Sequence, residues 1–245
     1  MNKSGDQYPA SLENLRQLIS ALSHDLRTPL TVIKGDIEVC LLRERSPGEY
    51  QEVLRSNLEE IDRMAGLLED LAILMRAETG ELRTAFNQID LTELIAGLFA
   101  EFQNAAREKG IQFKLESAGQ IFVKADPVLS RKLFSEVLEN AIQYSPREGE
   151  IRVLMEKVGQ EALVLVSDQG TGILPEEQEH IFEPLFRGEK ARVLVKKGYG
   201  LGLAVCKKIV FVHNGSIDLE SSEGSKIGAA FKILLPVWLG QGQGS

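Results

Sequence analysis

LRQLISALSHDLRTPLTVIKGDIEVCLL, residues 15–42, places Leu15, Ile19, Leu22, Leu26, Leu30, Ile33, Ile37 and Leu41 in steps of mostly three and four. That spacing is the seam of a bundle or coiled-coil helix, and it predicts a helix from Ser11 to about Arg45. RERSPGEY, residues 43–50, breaks the pattern and reads as a turn. A second helix follows with Leu54, Leu58, Ile61, Ala65, Leu68, Leu71 and Met75 in similar steps, ending near Thr79 and Gly80. Each helix is roughly 50 Å long at the α-helical rise. A lone hairpin of that length leaves much of its apolar stripe in water. Two copies are therefore expected to pair as an antiparallel four-helix bundle, making the chain a homodimer.

Beyond residue 85 the pattern changes. Ile89 to Lys109 reads as a helix starting near Asp90 or Thr92, and IQFKLE and IFVKAD read as short strands. SRKLFSEVLENAIQYS reads as a helix, IRVLMEKV and ALVLVSD as strands, LGLAVCKKIVFVH as a helix, and SIDLES and AAFKILLP as strands. Neighbouring strands look like hairpins, which favours a mixed sheet covered on one face by helices, an α/β sandwich. The expected fold class is α+β: a tail over 1–10, the hairpin over 11–80, a flexible linker over 81–88, the sheet domain over 89–238 and a tail over 239–245.

The composition restricts partners and setting. The chain has 245 residues and a formal net charge of −8, which argues against nucleic acid and anionic membrane as partners, since both attract basic surfaces. Cys40 and Cys206 stand far apart in no metal or redox spacing, so a reducing cytoplasm is expected. No apolar run reaches the roughly 18 residues of a spanning helix, and MNKSGDQYPA is not a signal peptide. A membrane enters only if a sensor segment precedes this sequence. The ten or so residues before the first helix are too few for an input domain.

Within the first helix, His24 lies roughly 160° from both Leu22 and Leu26, so it is expected to face water. Asp25 is its neighbour, and Thr28 sits one turn later on the same side. An exposed histidine is ordinarily a solvated surface residue, but Pro29 weakens the backbone ladder beside this one with no packing need evident in the sequence. SHDLRTPL, residues 23–30, resembles the phosphoacceptor box of sensor histidine kinases. The resemblance implies that His24 is phosphorylated on a ring nitrogen, that Asp25 takes up the proton of the other nitrogen, and that Thr28 orients water in a phosphatase reaction. Neutral imidazole is a good nucleophile near neutral pH, so the chemistry agrees.

A phosphate donor is then required. On the helix SEVLENAIQYS, residues 135–145, Glu136, Asn140 and Gln143 form a polar stripe opposite an apolar face. Such a stripe is usually a solvent face, although a mid-helix asparagine has poor propensity and suits a ligand. VSDQGTGI, residues 166–173, puts Asp168 at a strand end, where its carboxylate can accept from an exocyclic amine, with Gly170 and Gly172 permitting close approach. GYGLGL, residues 198–203, opens a helix with Gly198, Gly200, Leu201 and Gly202, where free N–H groups can hold phosphate.

The order Asn140, DQGTG, IFEPLFRG, GYGLGL resembles the N, G1, F and G2 boxes of the ATP-binding domain shared by histidine kinases, gyrases, Hsp90 and MutL. The resemblance implies ATP and Mg²⁺ as cofactors. Asn140 would ligate the metal, Asp168 would read adenine, and Tyr144 would pack near the base. A lid over residues 187–197 would offer Arg187 to the γ-phosphate, supported by Lys190, Arg192, Lys196 and Lys197, with Phe182 and Phe186 as anchors. Three positions depart from the family pattern. Glu136 replaces a frequent asparagine and looks like the acid that activates water in gyrases, Gln143 replaces a basic residue, and Ala229 replaces a threonine. The expected activity is ATP-dependent autophosphorylation of His24 and transfer to an aspartate of a response regulator. The rival expectation is a degenerate nucleotide-binding docking module.

Overall fold

The computed structural model describes residues 7–194, 198–220 and 228–239, without the side chains of residues 7–19, Ala21 and His24. The chain divides into two compact units, Met1–Gly80 and Glu81–Ser245.

The first unit is a hairpin of α1 (Gln7–Leu41) and α2 (Pro47–Glu78). The helix begins at Gln7, inside the stretch expected to be a tail, and stops at Leu41, short of Arg45. Pro47 and Gly48 are not the turn. They open α2, because proline suits the first helical position and Ser46 caps it. Ser46 and Glu49 exchange side-chain and backbone hydrogen bonds as a capping box. α1 runs through Pro29, which is buried two turns after the buried seam residue Leu22 and on the same face, so the proline does have a packing role. One hairpin leaves the seam half covered: Leu30, Ile37 and Leu41 on α1 and Leu54, Leu58, Ile61 and Leu68 on α2 are exposed, Leu41 by 81%.

In the second unit a five-stranded sheet has the order β2-β4-β5-β7-β6, from β2 (Gln112–Ser117), β4 (Glu150–Val158), β5 (Glu161–Ser167), β6 (Ser216–Leu219) and β7 (Ala230–Pro236). β2 runs parallel to β4, and the other pairs are antiparallel. Alternate residues Ile151, Val153 and Met155, then Ala162, Val164 and Val166, then Phe231, Ile233 and Leu235 are buried, which is the period of two of a sheet with one packed face. α3 (Leu91–Lys109), α4 (Pro127–Tyr144) and α6 (Gly202–Val212) form the helical layer, with α4 packed against both others. Phe134 and Val137 of α4 and Val205 and Ile209 of α6 are fully buried. Each such side chain contributes about 1.5–3 kcal/mol of burial.

Two expectations are corrected here. IQFKLE and IFVKAD do not form a hairpin. β3 (Phe122–Ala125) pairs instead with β1 (Asn87–Asp90) in a separate two-stranded sheet. The linker is consequently shorter than 81–88, because Asn87 and Gln88 are strand residues and the Ala85 N–H donates to Asp126 Oδ2 at 2.7 Å. Ile89 also belongs to β1, and α3 starts only after Asp90, whose Oδ1 accepts from the N–H groups of Thr92 and Glu93. At the far end of β7, Val237 bridges to Val123 and the Trp238 N–H donates to the Phe122 carbonyl at 2.7 Å, tying the small sheet to the large one.

Candidate functional site

In the hairpin, α1 carries SHDLRTPL without a break. Thr28 and Arg27 are exposed and Asp25 is half-buried. The expected outward orientation of the His24 side chain lies outside the described residues.

In the second unit, one wall of the candidate site is the C-terminal half of α4. Its buried face, Leu133, Phe134, Val137, Leu138 and Ala141, fixes the helix on the sheet, which leaves Glu136 and Asn140 half-buried one turn apart. Glu136 Oε1 lies 2.7 Å from Lys132 Nζ, one turn back. This i, i+4 pair of opposite charges is visible in the sequence, but only Glu136 of it is among the expected site residues; Lys132 is not. The last turn of α4 is held by Lys109, whose Nζ donates to the carbonyls of Ile142 and Gln143, both at 2.8 Å. Gln143 itself is exposed. Burial pushes the Tyr144 phenol up, partly opposed by the charge of Arg187 nearby.

Asp168 forms the floor. Its Oδ1 accepts from the Gly170 N–H at 2.7 Å and the Ala229 N–H at 3.2 Å, while its own N–H donates to the Ala229 carbonyl at 2.9 Å. Both donors converge on one oxygen, and Oδ2 has no donor among the described residues. Burial lifts the Asp168 carboxyl above its ordinary range, and the two N–H donors draw it partly back. Gly170 is required because a Cβ there would strike the Tyr144 carbonyl and Asp168 Oδ1. Gly228 was absent from the expected site, yet its φ of 144° and its contact with the Asp168 carbonyl exclude any side chain. Ala229 contributes through its backbone, so the missing threonine hydroxyl does not release Asp168.

The opposite side is the start of α6. Leu201 stands at the N-cap position with no side chain bonding the first-turn N–H groups. A Cβ on Gly202 would collide with Glu136 Oε2, which brings α4 and the G-rich segment together. Gly200 takes a φ of 70°, and its carbonyl accepts from the Leu185 N–H at 2.9 Å. Gly198 is exposed. Arg187 is occupied by backbone: its guanidinium donates to the Gly198 carbonyl at 2.9 Å and the Ala191 carbonyl at 3.1 Å. Lys190, on α5 (Glu189–Leu194), donates to the Thr171 carbonyl beside Gly172 at 2.8 Å. Glu177 caps α5 by accepting from the Glu189 N–H at 2.6 Å. Arg192 donates to the Arg187 carbonyl, whereas Lys196 and Lys197 lie outside the described residues. The structure thus brings Glu136, Asn140, Tyr144, Asp168, Gly170, Gly172, Gly200 and Gly202 around one region between α4, the end of β5 and the start of α6.

Both units match known protein domains. Residues 14–80 match the His Kinase A (phospho-acceptor) domain. Residues 125–239 match the histidine kinase-, DNA gyrase B-, and HSP90-like ATPase. The sensor histidine kinase CusS of Escherichia coli strain K12 is 32% identical over 215 residues, covering 88% of this chain and 44% of CusS. The chain spans about half the length of the curated relatives it matches. Among solved structures, the Acinetobacter baumannii histidine kinase AdeS superposes with a TM-score of 0.69 at 24% identity, covering 87% of this chain and 97% of that one. Histidine kinase ThkA, in complex with response regulator protein TrrA, gives a TM-score of 0.70 at 24% identity over 94% of this chain and 64% of that one. The chain belongs to the sensor histidine kinases, as a phospho-acceptor hairpin followed by an ATPase domain of the gyrase and Hsp90 type.

Proposed function

We propose that this chain is an ATP-dependent protein histidine kinase that phosphorylates His24 and passes the phosphoryl group to an aspartate of a response regulator. The observation that carries the reading is Asp168, a half-buried carboxylate oriented through Oδ1 with Oδ2 open, set across from an uncapped helix start. One group suits an exocyclic amine and the other a phosphate, and adenine nucleotides carry both. The family's phosphoacceptor box supplies the nucleophile on the same chain.

In this mechanism a neutral His24 ring nitrogen attacks the γ-phosphorus of ATP, and the bond from phosphorus to the bridging oxygen of ADP breaks. Asp25 holds and receives the proton of the second ring nitrogen, which keeps the attacking lone pair available. Tyr144, Gly170 and Gly172 shape the base pocket, and the N–H groups around Gly200, Leu201 and Gly202 receive the phosphates. Arg187 and Lys190 now rest on the carbonyls of Gly198, Ala191 and Thr171, and they are the cations within the lid that exchange those acceptors for phosphate oxygens. Asn140 fits Mg²⁺: a neutral amide oxygen suits a hard cation that keeps water and phosphate as its other ligands. Among the described residues no group of three or more His, Cys, Asp or Glu forms an all-protein metal cage. The metal supplies charge neutralisation at the phosphates. Glu136, held by Lys132 at the start of α6, is placed to activate water for a slower hydrolysis of ATP, and Thr28 to orient water in dephosphorylation of the regulator.

The second copy needed to cover the open seam of α1 and α2 makes the working unit a homodimer, and the complex seen for ThkA supports a receiver domain as partner. No helix among the described residues is long and apolar enough to cross a membrane. A cytoplasmic position fits the charge and cysteine content.

Incubation with γ-labelled ATP and Mg²⁺ is expected to give label that is lost in acid and kept in alkali, and that moves to a receiver domain. A chain that binds ATP yet takes up no label would be the docking module instead. The raised Asp168 carboxyl adds a pH test. A protonated acid no longer offers the amine a charged acceptor, so ADP affinity should fall on acidification at a pH where an ordinary aspartate is still ionised. Calorimetric titration of ADP from about pH 7 down to about pH 5 measures this. Asp168→Asn should bind weakly with no such slope.

A further inference from the structure

The short connection between the two units ends in a buried knot. His213, 2% exposed, directly follows α6 and accepts the Asp126 N–H on Nε2 at 2.9 Å, with Nδ1 donating to the Ile209 carbonyl at 2.7 Å. Burial pushes the His213 imidazole below its ordinary range, which keeps it neutral with an Nε2 lone pair, as an acceptor must be. Asp126 Oδ1 caps α4 through the Val128 and Leu129 N–H groups, and its Oδ2 takes the Ala85 N–H. Phe86 then lies edge-on to the His213 ring, with centroids 5.3 Å apart, under the ammonium of Lys124. The knot therefore joins the incoming chain to the N-cap of α4 and the last turn of α6. The other ends of these helices carry Asn140 and Tyr144, and Gly200 and Gly202.

We propose that Phe86, Asp126 and His213 are positioning residues that confine the swing between the units to Gly80–Thr84, so that the ATPase unit leaves its tether in a fixed direction. Gly80, with φ at 71°, follows the end of α2, and the ladder of β1 begins at Asn87. A tether pinned at its far end loses slack and orientational freedom, which raises the frequency with which a bound nucleotide is presented to the acceptor. This kinetic consequence rests on the kinase reading above; the pinned hinge does not.

The test uses the full chain and its Phe86→Ala, His213→Leu and His213→Gln variants. Hydrogen exchange of residues 85–88 should be slow in the parent and at least about tenfold faster in Phe86→Ala. Autophosphorylation at saturating ATP should fall about fivefold or more, with the KM for ATP within about twofold. His213→Gln, which keeps an acceptor for the Asp126 N–H, should recover most of the rate lost in His213→Leu. Rapid exchange of 85–88 in the parent would overturn the pinned hinge. Faster exchange in Phe86→Ala with an unchanged rate would overturn the positioning role, as would a rate lost only through a raised KM. A parent that takes up no label removes the kinase reading and its kinetic consequence, while exchange still decides the hinge.

Discussion

Exchanging His24 for glutamine should eliminate the acid-labile label entirely and leave ATP binding within about twofold of the parent, since the acceptor makes no contribution to ground-state nucleotide binding. Glutamine keeps the bulk and the hydrogen-bonding ends of the imidazole but lacks a nucleophilic lone pair on nitrogen, because the amide nitrogen donates its pair to the carbonyl. α1 is continuous across residues 23–30 and draws its packing from Leu22 and Pro29. The substitution therefore leaves the hairpin intact, which far-UV circular dichroism checks. Residual label in His24→Gln would place the acceptor elsewhere. The remaining histidines give that outcome a clear follow-up: His213 is buried in the knot, and His180 is exposed and paired with Glu183.

The second large effect is expected from Asn140→Asp. The change is nearly isosteric, and Asn140 sits half-buried one turn beyond Glu136. A second carboxylate there would lie close to the first and to a bound triphosphate, so like charges would accumulate where cation ligation is needed. A loss of about 100-fold or more in label formation is the scale for removing a group that stabilises transferring phosphate. It should appear as a lost Mg²⁺ response together with weakened ATP binding. Thermal unfolding should stay close to that of the parent, because the buried face of α4 is untouched. A variant that keeps more than about a tenth of the parent rate would remove Asn140 from the metal's ligands.

The parts of this architecture that were legible in sequence share a property: they repeat at short range. The steps of Leu22, Leu26 and Ile33, and of Leu54, Leu58 and Ile61, give the hairpin from local spacing alone. The alternation in IRVLMEKV and ALVLVSD gives β4 and β5 in the same way. The strand β1 was missed because NQID is short and polar, with only Ile89 to mark an inward face. Its partner β3 lies more than thirty residues away, so no turn signal connects them. Pro47 reads as a breaker because proline stops helices far more visibly than it starts them, and the cue to a helix start is the capping pair Ser46 and Glu49. In the site, Asp168 and the glycines around it were readable as motifs. The support from Gly228 and Ala229, sixty residues downstream, was not, since backbone hydrogen bonds leave little trace in side-chain identity. The lid residues Arg187 and Lys190 were readable as charges, but their backbone acceptors depend on the fold of the loops around Thr171 and Gly198.

Trp238, the single tryptophan of the chain, is tied by its backbone to β3 in the ATPase unit. Its fluorescence therefore witnesses the unravelling of that unit alone, whereas ellipticity at helical wavelengths reports the two long helices of the hairpin together with the helices of the ATPase unit. In a denaturant series the two signals are expected to trace separate curves. That divergence would count structural units, and would not denote a partly folded intermediate within either of them.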